Sequence, residues 1–304
     1  MPALNGGCFK MNKVSQINFN KIRLISAAAL VVFLAACGGG SDGSPTTQPP
    51  SQPATQPATQ PANQPATQPA ADYTFSGTTN MMTGLNGKVA VVTVPDTFLS
   101  SSNSGTYFTA SSVDLSAQVQ QANYGGAFTT LSNGSSLALV LSKGSTIADI
   151  GGVSGVVAVG RWTAGSDSQG GNYTSNQGAP YAVGLPLTVS PSTGTKTCSA
   201  IASTSPSSAT GNVTPGKLNS ATATLDMATL LVNNFTANVT IGSDTAATIT
   251  KTGFSVGGVS MGGGVSVITR FMGVDVNNPL IAIGYAGKLA TTGDVNGLVV
   301  LSCS

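Results

Sequence analysis

Two stretches of the chain alternate strictly between apolar and polar positions. In Ala221-Thr-Ala-Thr-Leu-Asp-Met227 every odd position is apolar and every even one polar, and Phe235-Thr-Ala-Asn-Val-Thr-Ile241 repeats the pattern. Period two places all the apolar side chains on one face of an extended chain, the mark of an antiparallel sheet with one wet face. The short link through Leu230–Asn234 predicts a hairpin between them. Further short apolar runs are bounded by Gly, Ser, Asn and Asp. They predict strands at Tyr73–Ser76, Lys88–Val94, Ser136–Ser142, Val156–Thr163, Ala179–Gly184 and Thr195–Ala200. Four more follow at Gly253–Val256, Gly264–Arg270, Ile281–Gly287 and Gly297–Cys303. Turn signals such as Asn86-Gly87, Asn133-Gly134 and Pro215-Gly216 separate them. One short helix fits Ser116–Tyr124, stopped by Gly125-Gly126. Many short antiparallel strands must hide their edges, most simply by closing a barrel or stacking two sheets.

The first quarter of the chain follows another pattern. Lys13, Lys21 and Arg23 precede an uncharged stretch, Leu24–Ala36, of 13 residues. A bilayer span needs about 20, so this length predicts an export signal. Leu34-Ala35-Ala36-Cys37 resembles the lipobox of bacterial lipoprotein signals. That resemblance implies cleavage before Cys37 and acylation of its thiol. The absence of Asp after the Cys implies an outer-membrane lipid anchor, facing the periplasm or the cell surface. Met11 is a better start for such a signal than Met1. From Gly38 the chain runs into the repeat QPATQPATQPANQPATQPA. Proline at every fourth position blocks helices and ladders, so residues 37–72 read as a disordered tether. About 30 residues of it reach roughly 90 Å when fully extended. The organisation expected is thus a signal over 1–36, a lipidated linker over 37–72, a smaller β region over 73–184 and an antiparallel β-barrel over 185–304.

Composition narrows the function classes. Only 7% of residues are charged, against about 25% in a typical globular protein. There is no His and no Glu. Removing Lys10, Lys13, Lys21 and Arg23 with the signal leaves eight basic and ten acidic side chains, a formal charge of −2. No basic stripe with interleaved aromatics occurs, so nucleic acid is not an expected partner. Without His there is no Ser-His-Asp relay. Ser142-Lys143 are strand neighbours pointing to opposite faces, poor geometry for a catalytic pair. The Asp residues are scattered, and Asp167 and Asp294 read as turn residues. Gly257–Gly264 lacks a following Lys and reads as a hairpin loop rather than a phosphate cradle. No catalytic residue, metal site or cofactor is therefore expected, and the chain is read as a non-enzyme.

Two cysteines follow Cys37, Cys198 and Cys303. In an exported chain an even pair predicts a disulfide, the alternative being two buried thiols. A closed barrel would bring its first and last strands together, so the bond could latch the closure. Arg161 and Trp162 are the remaining candidates, the only Trp beside one of two Arg after the signal. They make either an exposed binding spot or a Trp packed between sheets with Arg in a hydrogen bond.

The segments Val157-Ala-Val-Gly-Arg-Trp-Thr-Ala-Gly165, Ala179-Pro-Tyr-Ala-Val-Gly184, Pro191-Ser-Thr-Gly-Thr195, Ile283-Gly-Tyr-Ala-Gly287 and Val295-Asn-Gly-Leu-Val-Val300 resemble lipoproteins carrying a transferrin-binding-protein-like β-barrel. The resemblance covers about residues 156–304. It implies that the Gly-Arg-Trp strand leads into an antiparallel barrel of about eight strands ending near the C-terminus. Cysteines stand where aromatic or aliphatic residues are common in that family, and iron-protein binding is not carried over.

The expected function is a membrane-anchored envelope lipoprotein, held to lipid through acylated Cys37, whose β module binds an unknown protein or small molecule. The alternative is a structural envelope or adhesin-like component. A binding module should show a concave patch holding Trp, Tyr or Phe with Arg. An assembly component should show a long exposed strand edge, and an enzyme two carboxylates converging in a cleft.

Overall fold

The computed structural model describes residues 72–79, 87–95, 106–115 and 117–304. The signal, Met1, Met11, Cys37 and the proline repeat lie outside the described residues. All regular elements among the described residues are β-strands. The first eleven are Thr74–Gly77 (β1), Lys88–Thr93 (β2), Phe108–Asp114 (β3), Gln120–Gln121 (β4), Phe128–Ser132 (β5), Ala138–Val140 (β6), Thr146–Val153 (β7), Val157–Thr163 (β8), Gly165–Ser166 (β9), Asn172–Tyr173 (β10) and Ala179–Gly184 (β11). The remaining ten are Thr195–Ser203 (β12), Ser207–Ser208 (β13), Lys217–Asp226 (β14), Leu231–Ile241 (β15), Asp244–Lys251 (β16), Phe254–Ser255 (β17), Val259–Ser260 (β18), Val265–Met272 (β19), Leu280–Leu289 (β20) and Gly293–Cys303 (β21).

The strands divide between sheets by sequence. A six-stranded sheet runs β1-β7-β8-β11-β2-β3, antiparallel except where β1 lies parallel to β7. A small sheet β4-β5-β6 accompanies it. The later strands form the path β16-β15-β14-β12-β21-β20-β19-β18, eight antiparallel strands curled into a half-barrel, with β13 and β17 attached to β21 and β15. The expected all-β class and the eight-strand count are therefore present, as is the hairpin joining β14 to β15.

Alternation along β20 explains the stacking. Ile281, Ile283 and Tyr285 point into the curl, with Phe235, Val239, Val299 and Leu301 among their neighbours in its core. Ala282 and Ala286 point outward, into a second core shared with Val92, Val159 and Ala182 of the six-stranded sheet. A Cβ at Gly284 would stand 2.1 Å from Val94 Cγ2, so glycine is what lets the sheets approach there. The other face of the six-stranded sheet forms a third core with Phe128, Leu131 and Leu139. Strands β8 and β11 are thus covered on both sides and buried throughout, which accounts for their near-continuous apolar runs.

The expected disulfide joins Cys198 to Cys303. The two are direct cross-strand partners on β12 and β21, with Cα atoms 4.0 Å apart. These are the first and last strands of the curled sheet, and they meet in its middle. The sheet opens elsewhere, because β16 and β18 are the two ends of the ladder. Phe254–Ser260 partly bridges that seam, pairing with β15 through β17 and with β19 through β18.

One expectation is overturned. No helix forms over the described part of Ser116–Tyr124; Ser116 itself lies outside it. Gln118 and Val119 donate their N–H groups to the Asp114 carbonyl in a turn, and Gln120–Gln121 then pair with β5. Val119 and Ala127 are both drawn into the third core. Packing of apolar side chains here outweighs a helix too short to be stable alone.

Candidate functional site

Arg161 and Trp162 sit next to each other on β8, and both are buried, at 4% and 0% exposure. The packed arrangement is the one present. Trp162 donates its indole N–H to the Phe128 carbonyl at 2.7 Å, and its ring lies 6.1 Å from that of Tyr181. Arg161 Nε donates to Asp149 Oδ2 at 2.7 Å and Nη1 to the Gln177 carbonyl at 3.0 Å. Asp149 also accepts from the backbone N–H and the hydroxyl of Ser205. This knot ties β7 and β8 to the link after β12. None of its fully buried side-chain polar atoms lacks a partner.

The other chemical candidates are likewise engaged. Ser142 Oγ accepts from Ser166 Oγ at 3.0 Å, while Lys143 Nζ stands 3.0 Å from Asp72. Asp167 accepts from Gln169 and Gly171 N–H and from the Tyr173 hydroxyl, as a turn residue should. Asp294 instead lies within β21, just past the turn. Hydrogen bonds from turn residues hold other carboxyls below the usual range: the Ala228 N–H and then the Thr229 side chain do so for Asp226, and the Thr292 side chain and N–H, followed by Thr291, for Asp244. Of Gly257–Gly264, Val259–Ser260 belongs to β18, and the loop proper is the four residues before β19. No cluster of three metal-ligating side chains occurs among the described residues.

Several grooves open on the surface. One of about 450 Å³ lies along the loop between β11 and β12, at Ser190–Lys196, and has no aromatic lining. A second, about 500 Å³, follows the open seam between β16 and β19. There Lys251 Nζ donates to the carbonyls of Gly262 and Val265, at 3.0 and 2.7 Å, and so plugs the ladder edge of β19. Burial lowers its pKa from the usual lysine value.

The third groove, about 320 Å³, lies where the folded region begins. Asp72, Tyr73, Phe75, Ala122, Asn123 and Thr129 line it. Alternation along β1 puts Tyr73 and Phe75 on one side of an edge strand, with ring centroids 6.4 Å apart. Phe75 stacks on Tyr124, 5.1 Å centroid to centroid and 7° from parallel. Tyr124 donates its hydroxyl to the Gly77 carbonyl and Tyr73 to that of Leu141, which fixes both rings. All three rings are half-buried, at the margin of the third core. Sequence reasoning placed β1 and missed the trio. The signal was Tyr73-Thr-Phe75 shortly after the proline repeat, but the third ring arrives from 49 residues away along the chain.

Among the described residues this groove combines concavity, aromatic surface and polar groups; no Arg or Lys lines it, and Lys143 reaches only its Asp72. Comparison with protein-family models, with curated proteins and with solved structures finds no match to this chain.

Proposed function

We propose that the chain is a bacterial envelope lipoprotein, fastened to the outer membrane through acylated Cys37, whose β module binds a ligand at the end of a proline-rich tether. The observation that carries this reading is the order of the N-terminal segments: a cationic stretch, 13 uncharged residues, Leu34-Ala35-Ala36-Cys37 and then the QPAT repeat. Stable anchoring needs two or more acyl chains, which the lipoprotein pathway supplies. A disulfide between Cys198 and Cys303 fits an exported, oxidising location. The aromatic groove beside Asp72 is the concave surface that a binding module requires, and no catalytic role is assigned to it.

A second reading is a structural or adhesin-like component. Its support is β16, an eight-residue strand that pairs on one side only. Lys251, at the end of that strand, works against strand addition.

Radiolabelled palmitate fed to producing cells should mark the protein, and a Cys37→Ser variant should lose both the label and its place in the detergent phase. An unlabelled parent that partitions like the variant would refute the anchor. Protease treatment of intact cells then separates surface exposure from a periplasmic position.

A further inference from the structure

We propose that the groove lined by Asp72, Tyr73, Phe75 and Asn123 is a binding site for a neutral oligosaccharide. This rests on reading the β module as a binding module and names the class of its ligand.

The rings come first. Most aromatic side chains of the module are sealed in its cores, Trp162, Tyr181, Phe128, Phe235 and Tyr285 completely. Tyr73 and Phe75 line a groove instead, with Tyr124 stacked on Phe75 beside it, and all three are only partly buried. Hydrogen bonds at both tyrosine hydroxyls and the Phe75–Tyr124 stack hold them in place, so little ordering cost remains for a ligand. An aromatic face carries partial negative charge and welcomes the weakly positive C–H bonds of an apolar partner. A pyranose ring presents such C–H bonds on one face and hydroxyls around its rim.

The polar groups match that rim. Asp72 offers an acceptor-only carboxylate and Asn123 an amide that both donates and accepts, while Lys143, paired with Asp72 beside the groove, carries a donor-only ammonium. The Asp72 and Lys143 side chains are 58% and 73% exposed, so their 3.0 Å pairing leaves each open to further partners. Their charges cancel, which disfavours a strongly ionic ligand and suits a neutral one. A purely apolar ligand would strip water from the carboxylate and the ammonium without replacing their hydrogen bonds, a cost it could not recover. The volume, about 320 Å³, lies at the small end of ligand sites and suits a short stretch of glycan.

The test uses the full chain, purified in mild detergent and titrated by calorimetry with chitotetraose, cellotetraose and maltotetraose, and separately with the peptide QPATQPATQP. At least one oligosaccharide should bind. Phe75→Ala should weaken it about tenfold by removing a stacking face. Because Phe75 also touches a core, Asn123→Ala serves as the second variant; its exposed amide can go without harm to the fold, and binding should fall about fivefold. The proposal is overturned if the folded parent binds none of the sugars, if both variants bind like the parent, or if only the peptide binds. Palmitate labelling of the same preparation separates the two claims. A labelled protein that ignores sugars ends the glycan assignment and leaves the anchor, and an unlabelled one that binds them does the reverse.

Discussion

Tyr181 lies across the bare backbone of Gly160, its direct cross-strand partner: a Cβ at position 160 would stand 2.3 Å from the phenolic oxygen. The same relationship recurs in the curled sheet, where Tyr285 covers its partner Gly297 and a Cβ would stand 2.4 Å from the oxygen. In both, a large ring shields a residue with no side chain of its own. The two hydroxyls differ. That of Tyr181 donates to the Gly126 carbonyl and accepts from the Phe128 N–H, whereas that of Tyr285 is buried with no partner. Burial raises both phenols above the usual tyrosine value, so both stay neutral.

This contrast gives a paired prediction. Tyr181→Phe strands two buried backbone groups and should cost about 1–3 kcal/mol. Tyr285→Phe removes a buried hydroxyl that bonds to nothing and should be neutral or stabilising. Denaturant melts of both variants, run beside the parent, check it; equal losses would contradict the hydrogen-bond account. Gly160→Ala should cost about 1–3 kcal/mol through overpacking against a ring that is hydrogen-bonded in place.

The Arg161–Asp149 pair is nearly dry, its side chains 5% and 19% exposed. Asp149→Ala leaves a buried guanidinium without its carboxylate and should destabilise by about 3–5 kcal/mol. Replacing both, with Arg161→Met, should recover most of that loss, since the desolvation cost leaves with the charges. A double-mutant cycle on thermal unfolding measures the coupling. Additive losses would mean that the pair is not the source of the effect.

The Cys198–Cys303 bond closes a loop with a sequence separation of 105. In the chain-entropy model a loop near that length is worth up to about 4.7 kcal/mol. A Cys198→Ser, Cys303→Ser double variant should unfold at lower denaturant, and alkylation of the unreduced parent in denaturant should leave both sulfurs unmodified. Modified thiols in protein taken directly from producing cells would overturn the bond.

Asp244 accepts N–H groups from Thr292 and Thr291 across the end of the sheet, and the Thr292 side chain together with these N–H groups holds its carboxyl below the ordinary range. A depressed folded-state pKa stabilises fully above the unfolded value, about 3.9, and that contribution fades as pH falls through the folded one. Stability should therefore decline on the acid side of about pH 4, and Asp244→Asn should flatten that decline while leaving the curve near neutrality almost level. An unchanged acid limb in the variant would place the titration elsewhere.

Local pattern alone was enough for many elements. The strand Ala179–Gly184 follows from a short apolar run bounded by turn residues and the β14–β15 hairpin from period-two alternation, signals that depend on neighbours a few positions away. The disulfide followed from an even pair of cysteines in a chain with export features. Other strands were hidden because their reasons are remote. Phe108–Asp114 is rich in serine. Thr146–Val153 carries Gly151-Gly152 and an Asp149 at φ +56°, which reads as a turn until Arg161 and Ser205 close around its carboxylate. The orientation of Trp162, the gathering of Tyr73, Phe75 and Tyr124, and the loss of a helix before Gly125 were settled by stacking. A residue's two neighbours set which face it occupies, but only the sheet that packs against that face decides whether it is core, groove or surface.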